Sequence, residues 1–273
     1  MFPICDNIPS SRVPVVNYLM IGLCSIVFLF QLKDQNAGLE DVTLVEKYGM
    51  IPARITHPDE PVIFETEAIA TDDRGRQKRV IVRREAESSG LPAVLTAFTC
   101  IFLHGGLMHF AGNMWFLYIF GDNVEDRLGH VGYLLFYLAA GVAASITHLL
   151  AGPSSTIPTI GASGAIAGVM GAYFIWYPKA EVDALVPFFG FLRIMRLPAV
   201  FFLGLWAVMQ LLPGLQSLNG NQGGGGGVAW WAHIGGFAVG IIVAFVAPLL
   251  HLVPAAQTPL AVRRRVRSWG DDY

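Results

Sequence analysis

The chain is short of charge. Only 14% of its 273 residues are Asp, Glu, Lys or Arg, where about 25% is usual for a soluble domain. Apolar residues reach 54% without counting 30 Gly, and mean hydropathy is +0.53. A soluble fold would have too few charges to cover its surface. Disorder, collagen and coiled coil are excluded by the same composition. Cysteine is scarce too: Cys5, Cys24 and Cys100 form no disulfide framework and have no metal-ligand spacing. A net charge of -2 offers no basic excess for nucleic acid. The composition describes an integral membrane protein.

A membrane helix needs about 20 mostly apolar residues. Six stretches qualify: 13–32, 103–120, 130–150, 160–177, 197–212 and 228–252. The first is long for a signal-peptide core, lacks an A-x-A site and ends at Gln31-Leu32-Lys33. It reads as a signal anchor. Orientation follows from Lys and Arg in short loops. With residues 1–12 cytoplasmic, Arg127, Lys179, Arg193, Arg196 and the tail Arg263, Arg264, Arg265 and Arg267 all fall inside, whereas the outer short loops 151–159 and 213–227 carry no charge. The tail, 253–273, is basic and cytoplasmic. Segment 33–92 holds nine Lys/Arg and twelve Asp/Glu, but long loops translocate whatever their charge. It reads as an extracytoplasmic insert. Residues 62–69 and 79–84 alternate in strand fashion around Asp72-Asp73-Arg74-Gly75, which suggests a small β-hairpin. The run 223–227 is a glycine loop.

No span interior contains Asp, Glu, Lys or Arg. The polar candidates are therefore His, Ser, Asn and Thr, and such groups inside spans point to function. Three clusters open the second, fourth and sixth spans: His104 to Asn113, Gly161-Ala162-Ser163-Gly164, and Ala232-His233-Ile234-Gly235-Gly236. These spans all run from outside to inside. His109, Asn113, Ser163 and His233 thus sit at similar depth, below the outer surface. His109 and Asn113 are four apart and share a helix face. Gly164-x-x-x-Gly168 and Gly236-x-x-x-Gly240 are small-residue seams that let helices approach closely.

A hydroxyl beside an imidazole is the minimum for an activated nucleophile. With Ser163 as nucleophile and His233 as general base, no acid is at hand for a triad, because Asp122, Glu125 and Asp126 lie at the cytoplasmic end. His109, Asn113 and the Ser163 N–H would serve a developing oxyanion. The plainer readings stay open at this point: a packing serine, histidines satisfied by interhelical hydrogen bonds, and seams that report only packing. His104 and His148 share the outer depth. No H-E-x-x-H occurs, and no intramembrane Asp, which removes zinc and aspartyl protease chemistry.

Residues 102–129 (FLHGGLMHFAGNMWFLYIFGDNVEDRLG), 161–171 (GASGAIAGVMG) and 232–240 (AHIGGFAVG) resemble the rhomboid family of intramembrane serine proteases. The resemblance covers 91–252 and implies an all-α membrane protein with six transmembrane helices and both termini cytoplasmic. It implies a catalytic core over 93–252, with Ser163 as nucleophile, His233 as its base, and His109 and Asn113 at the oxyanion. His104 would be structural or line a hydrated cavity, with Gly161, Gly164, Gly236 and Gly240 shaping the site. The span 197–212 would be a movable gate and 223–227 part of a cap. Neither cofactor nor metal is implied. The expected partners are transmembrane protein substrates and the lipid bilayer. The expected location is a bacterial inner membrane, with the site opening to the extracytoplasmic side. A rhomboid-like binder of membrane helices that cuts nothing is the alternative, although such relatives usually lack the Ser or the His. Stretch 93–99 lacks the Trp-Arg pair that many members carry before the second span. Nothing in the sequence fixes the oligomeric state.

Overall fold

A computed structural model describes residues 1–34, 42–71, 76–188, 191–218 and 228–253. In chain order the elements are β1 (Phe2–Asp6), α1 (Val15–Asp34), α2 (Leu44–Tyr48), α3 (Pro52–Thr56), β2 (Ile63–Thr71), β3 (Gln77–Glu85), α4 (Thr96–Thr99), α5 (Leu107–Ala151), α6 (Ser163–Trp176), β4 (Glu181–Phe188), β5 (Phe191–Pro198), α7 (Ala199–Leu218) and α8 (Trp230–Leu249). Helices α1, α5, α7 and α8 are long and apolar enough to cross a membrane, and α6 is a shorter apolar helix. Their outward faces carry large apolar side chains such as Leu29, Leu135, Phe245 and Leu249.

α5 is 45 residues long, but its backbone breaks at Gly129, where φ is 72°. Glycine takes this left-handed conformation at no steric cost. The chain folds back there: a side chain at Gly121 would collide with the Tyr133 hydroxyl. Residues 121–128 read as a loop by charge, yet stay helical because their polar groups find partners. Glu125, buried, accepts from the N–H groups of Val16 and Asn17 at 2.9 and 2.7 Å. It thereby caps the first turn of α1, whose N–H groups have no intrahelical acceptor. Asn17 in turn donates to the Leu117 carbonyl and accepts from Tyr133.

The expectation of an all-α protein is corrected by five strands among the described residues. β1 pairs antiparallel with β4, and β4 with β5, in the order β1-β4-β5. This sheet lies at the far end of α6 from Ser163. Asn123 and Tyr173 donate hydrogen bonds to the Asp6 carboxylate and fasten β1 to α5 and α6. In the segment between α1 and α4, β2 and β3 form an antiparallel hairpin from Ile63↔Glu85 to Thr71↔Gln77. Residues 72–75, 223–227 and 254–273 lie outside the described residues, so the turn signal, the glycine loop and most of the basic tail have no structural account. α7 runs beyond the expected end at 212, passing through Pro213 to Leu218.

α6 is the centre of the bundle. It packs against α8 along the two glycine seams. A methyl at Gly236 would overlap the Gly164 carbonyl oxygen, and one at Gly240 the Gly168 carbonyl oxygen. Lipid gives helices no hydrophobic reason to associate, so close van der Waals packing must hold them. Glycine at both seams supplies it.

Candidate active site

Ser163 is the first residue of α6. The preceding chain is held on both sides. Met50 and Thr159 exchange main-chain hydrogen bonds at 3.0 and 2.7 Å, and the Gly161 N–H donates to the Cys100 carbonyl at 2.9 Å. Gly161 has φ of +126°, a conformation that side chains rarely adopt. Its missing side chain leaves a gap bordered by the His109 ring at 2.9 Å and Ser163 Oγ at 3.5 Å. The first N–H groups of α6, Ser163's among them, have no intrahelical acceptor.

Across the seam, His233 Nε2 lies 2.8 Å from Ser163 Oγ. Its other nitrogen, Nδ1, lies 2.8 Å from Gln210 Oε1. An amide oxygen only accepts, so Nδ1 carries the proton and Nε2 presents a lone pair to the serine hydroxyl. Trp206 lies against the His233 ring with centroids 5.8 Å apart, and Trp230 meets it edge-on at 6.3 Å.

His109, in the first turn of α5, is exposed. Its Nδ1 accepts from the Gly105 N–H at 3.2 Å. That bond puts the ring proton on Nε2, next to the gap at Gly161. Asn113, one turn further along, is 9% exposed, and its Nδ2 has no protein partner among the described residues. Asn113 Nδ2 is thus an unused donor one turn from His109 on α5. His104 is buried, and neither ring nitrogen has a protein partner among the described residues. Its ring lies 5.4 Å from that of His109, and its main chain is clamped by Gln31, which donates to its carbonyl and accepts from its N–H, both at 3.0 Å.

The structure therefore brings Ser163, His233 and His109 around one small opening, with Gly161 making the space and Gly164, Gly236 and Gly240 closing the helix contact behind it. His148 makes no hydrogen bond from its buried Nδ1 among the described residues. Among the described residues no group of three His, Cys, Asp or Glu is placed to hold a metal ion. Glutamine is absent from the set of His, Ser, Asn and Thr that the sequence singles out, yet Gln210 touches the His233 ring. The signal was there: a polar residue in an otherwise apolar span, toward the end expected to face outward.

A sequence profile of the rhomboid domain matches residues 92–249. Rhomboid-like protein 11, chloroplastic, from Arabidopsis thaliana is 30% identical over 63% of this chain and 58% of its own length. Rhomboid protein 1, mitochondrial, from Saccharomyces cerevisiae is 26% identical over 61% of this chain and 44% of its own. Rhomboid protease GluP of Bacillus subtilis is 45% identical over a shorter stretch, 27% of this chain and 14% of its own. The chain spans less than two thirds of each relative. With the profile covering more than half of it, this membrane-embedded chain belongs to the rhomboid family.

Proposed function

We propose that the protein is an intramembrane serine endopeptidase that hydrolyses peptide bonds in or beside the transmembrane helices of other membrane proteins. The observation that carries the reading is the 2.8 Å contact of Ser163 Oγ with His233 Nε2, set on two helices that glycines hold together. His233 takes the serine proton as Oγ attacks the scissile carbonyl. The imidazolium then protonates the leaving amine. Water, deprotonated by the same ring, releases the acyl group from Ser163. His109 Nε2–H, Asn113 Nδ2 and the Ser163 N–H are the donors for the oxyanion. A substrate must unwind to offer a carbonyl, because helix hydrogen bonds hide the backbone in lipid.

On this reading the two arms of α5 each cross the bilayer. With α1, α6, α7 and α8 they make six crossing segments, with both termini cytoplasmic and Ser163 opening to the opposite side. The charge-free outer loops and the Arg- and Lys-bearing inner ones support that orientation. The relatives are named for a chloroplast, a mitochondrion and a bacterium, so they support a membrane and not a choice of bacterial inner membrane.

The test is cleavage of a transmembrane substrate in liposomes. Ser163→Ala abolishes it, and Asn113→Ala lowers kcat by about 10²–10³ with KM little changed. Cleavage by Ser163→Ala at the wild-type rate refutes the reading. Absence of cleavage by the wild type would instead favour an inert binder of membrane helices.

A further inference from the structure

The structure assigns Gln210 as the positioning residue of His233, so that the reacting unit is Ser163–His233–Gln210 spread over α6, α8 and α7. This rests on the protease reading above. A neutral imidazole has one N–H and one lone pair, and the partner of one nitrogen decides the state of the other. For His233 to accept the serine proton at Nε2, Nδ1 must hold its own proton. In a low-dielectric surrounding that N–H needs an acceptor. Gln210 Oε1, 2.8 Å away, is that acceptor.

The amide itself is held in place. Gln210 is 8% exposed, and its Nε2 donates to the Trp206 carbonyl one turn back at 3.3 Å. Turning the amide over would set its oxygen against that carbonyl and its N–H₂ against the imidazole N–H. Both contacts would be repulsive. The opposite tautomer would either set the Nδ1 lone pair against Gln210 Oε1 or require the turned amide, whose oxygen meets the Trp206 carbonyl, so each of its arrangements carries one repulsive contact. Trp206, on the same helix, closes over the ring face. Trp231 Nε1, bonded to Ser217 Oγ at 3.3 Å, fastens the far end of α7 to α8.

No carboxylate is placed to do this work among the described residues. Glu125 is committed to the N–H groups of α1 and Asp6 to Asn123 and Tyr173, all at the other end of the bundle. A neutral amide fixes the tautomer and the ring angle, and leaves the charge of the imidazolium uncompensated. α7 thus carries part of the catalytic geometry.

The experiment compares Gln210→Leu and Gln210→Glu with wild type in detergent and liposomes. It measures fluorophosphonate labelling of Ser163, kcat and KM for a transmembrane substrate, and the melting temperature. Leu removes the acceptor; Glu restores it. The expected result is a fall of about 10- to 100-fold in labelling rate and kcat for Gln210→Leu, by analogy with loss of the hydrogen-bond partners that orient metal-ligating histidines, with KM within two-fold. Gln210→Glu returns both rates to within a few-fold of wild type. Wild-type labelling by Gln210→Leu overturns the assignment. So does an equal loss in both variants that follows their melting temperatures, because then Gln210 only packs α7. Labelling that survives Ser163→Ala overturns the serine reading itself, and is told apart because it does not involve Gln210.

Discussion

Gly236→Ala tests whether the contact of α6 with α8 sets the catalytic distance. A methyl at Gly236 would fall on the Gly164 carbonyl oxygen, well inside van der Waals contact, and 3.3 Å from Ala167 Cβ. The obstacle is main chain, so no side-chain rotation relieves it, and α8 must withdraw by about 1 Å, a displacement that can cost on the order of 10² in rate. Gly164 directly follows Ser163, and His233 lies three residues before Gly236 on α8. Opening this seam therefore opens the Ser163–His233 pair. Their 2.8 Å contact, lengthened by about 1 Å, passes out of hydrogen-bond range.

A 10²-fold loss corresponds to about 2.7 kcal/mol of barrier. The overpacked helix pair also costs about 1–3 kcal/mol of stability. The assay is kcat on a transmembrane substrate in liposomes, with the melting temperature recorded alongside. Gly22→Ala is the control: a methyl there meets nothing within 4 Å, and full activity is expected. Gly236→Ala turning over at the wild-type rate would refute the reasoning. An equal loss in Gly22→Ala would do so as well, since that residue is remote from the seam.

Two more outcomes follow from the geometry. Gly161→Ala forces a side chain into a φ of +126° and within 2.9 Å of the His109 ring. Strain of about 1–3 kcal/mol and a displaced His109 should lower kcat at least ten-fold, read in the same cleavage assay; an unchanged kcat would free His109 of any role in turnover. The insert should loosen in acid. Burial pushes the Glu46 carboxyl up, but hydrogen bonds from Arg84 at 2.8 Å and from the Glu87 N–H at 2.6 Å outweigh it and hold the group below its usual range. A depressed carboxylate stabilises above its unfolded pKa, about 4.3, and that stability is lost as pH falls through the folded value. Amide protection in 63–71 and 77–85 should thus be level from pH 7 to 5 and fall below about pH 4. Glu46→Gln should remove the step and about 1–2 kcal/mol, since Arg84 is partly solvated. Protection independent of pH in the wild type would contradict this.

How much of this was legible in the sequence depended on what lipid forbids. Ser163, His109, Asn113 and His233 stood out because polar groups are rare in spans, and the glycines because close helix contact needs them. Gln210 escaped notice because it is uncharged and lies in a span with no small-residue seam beside it. The sheet was hidden for a different reason. β1 is five residues long, and β4 and β5 follow α6 as a mixed run in which Asp183, Arg193 and Arg196 read as a charged loop. β4 pairs with β5 locally, but it also pairs with β1, more than 170 residues away, which local pattern does not report. Helical residues 121–128 looked like a turn because Asn123 and Glu125 are polar. Their partners, Asp6 and the N-terminus of α1, come from distant chain.

The distribution of charge also explains why a glutamine, and not an acid, lies behind His233. Among the described residues, the polar side chains joined to Ser163 or bordering the gap beside it, His233, Gln210 and His109, are neutral in the hydrogen bonds they make. Glu125 and Asp6 are at the opposite end, where the first N–H groups of α1 and the side chains of Asn123 and Tyr173 donate to them. A carboxylate at Gln210 would sit within a span, at a cost of about 2.5–3.5 kcal/mol toward the bilayer centre. It would repay that only while His233 is charged, a state that lasts for part of the cycle. An amide fixes the same tautomer in the resting state without that cost. The expected signature, on the protease reading, is a Gln210→Glu variant that turns over within a few-fold of wild type while losing stability, and a turnover that falls without a matching loss of stability would show that the neutral partner serves the chemistry itself.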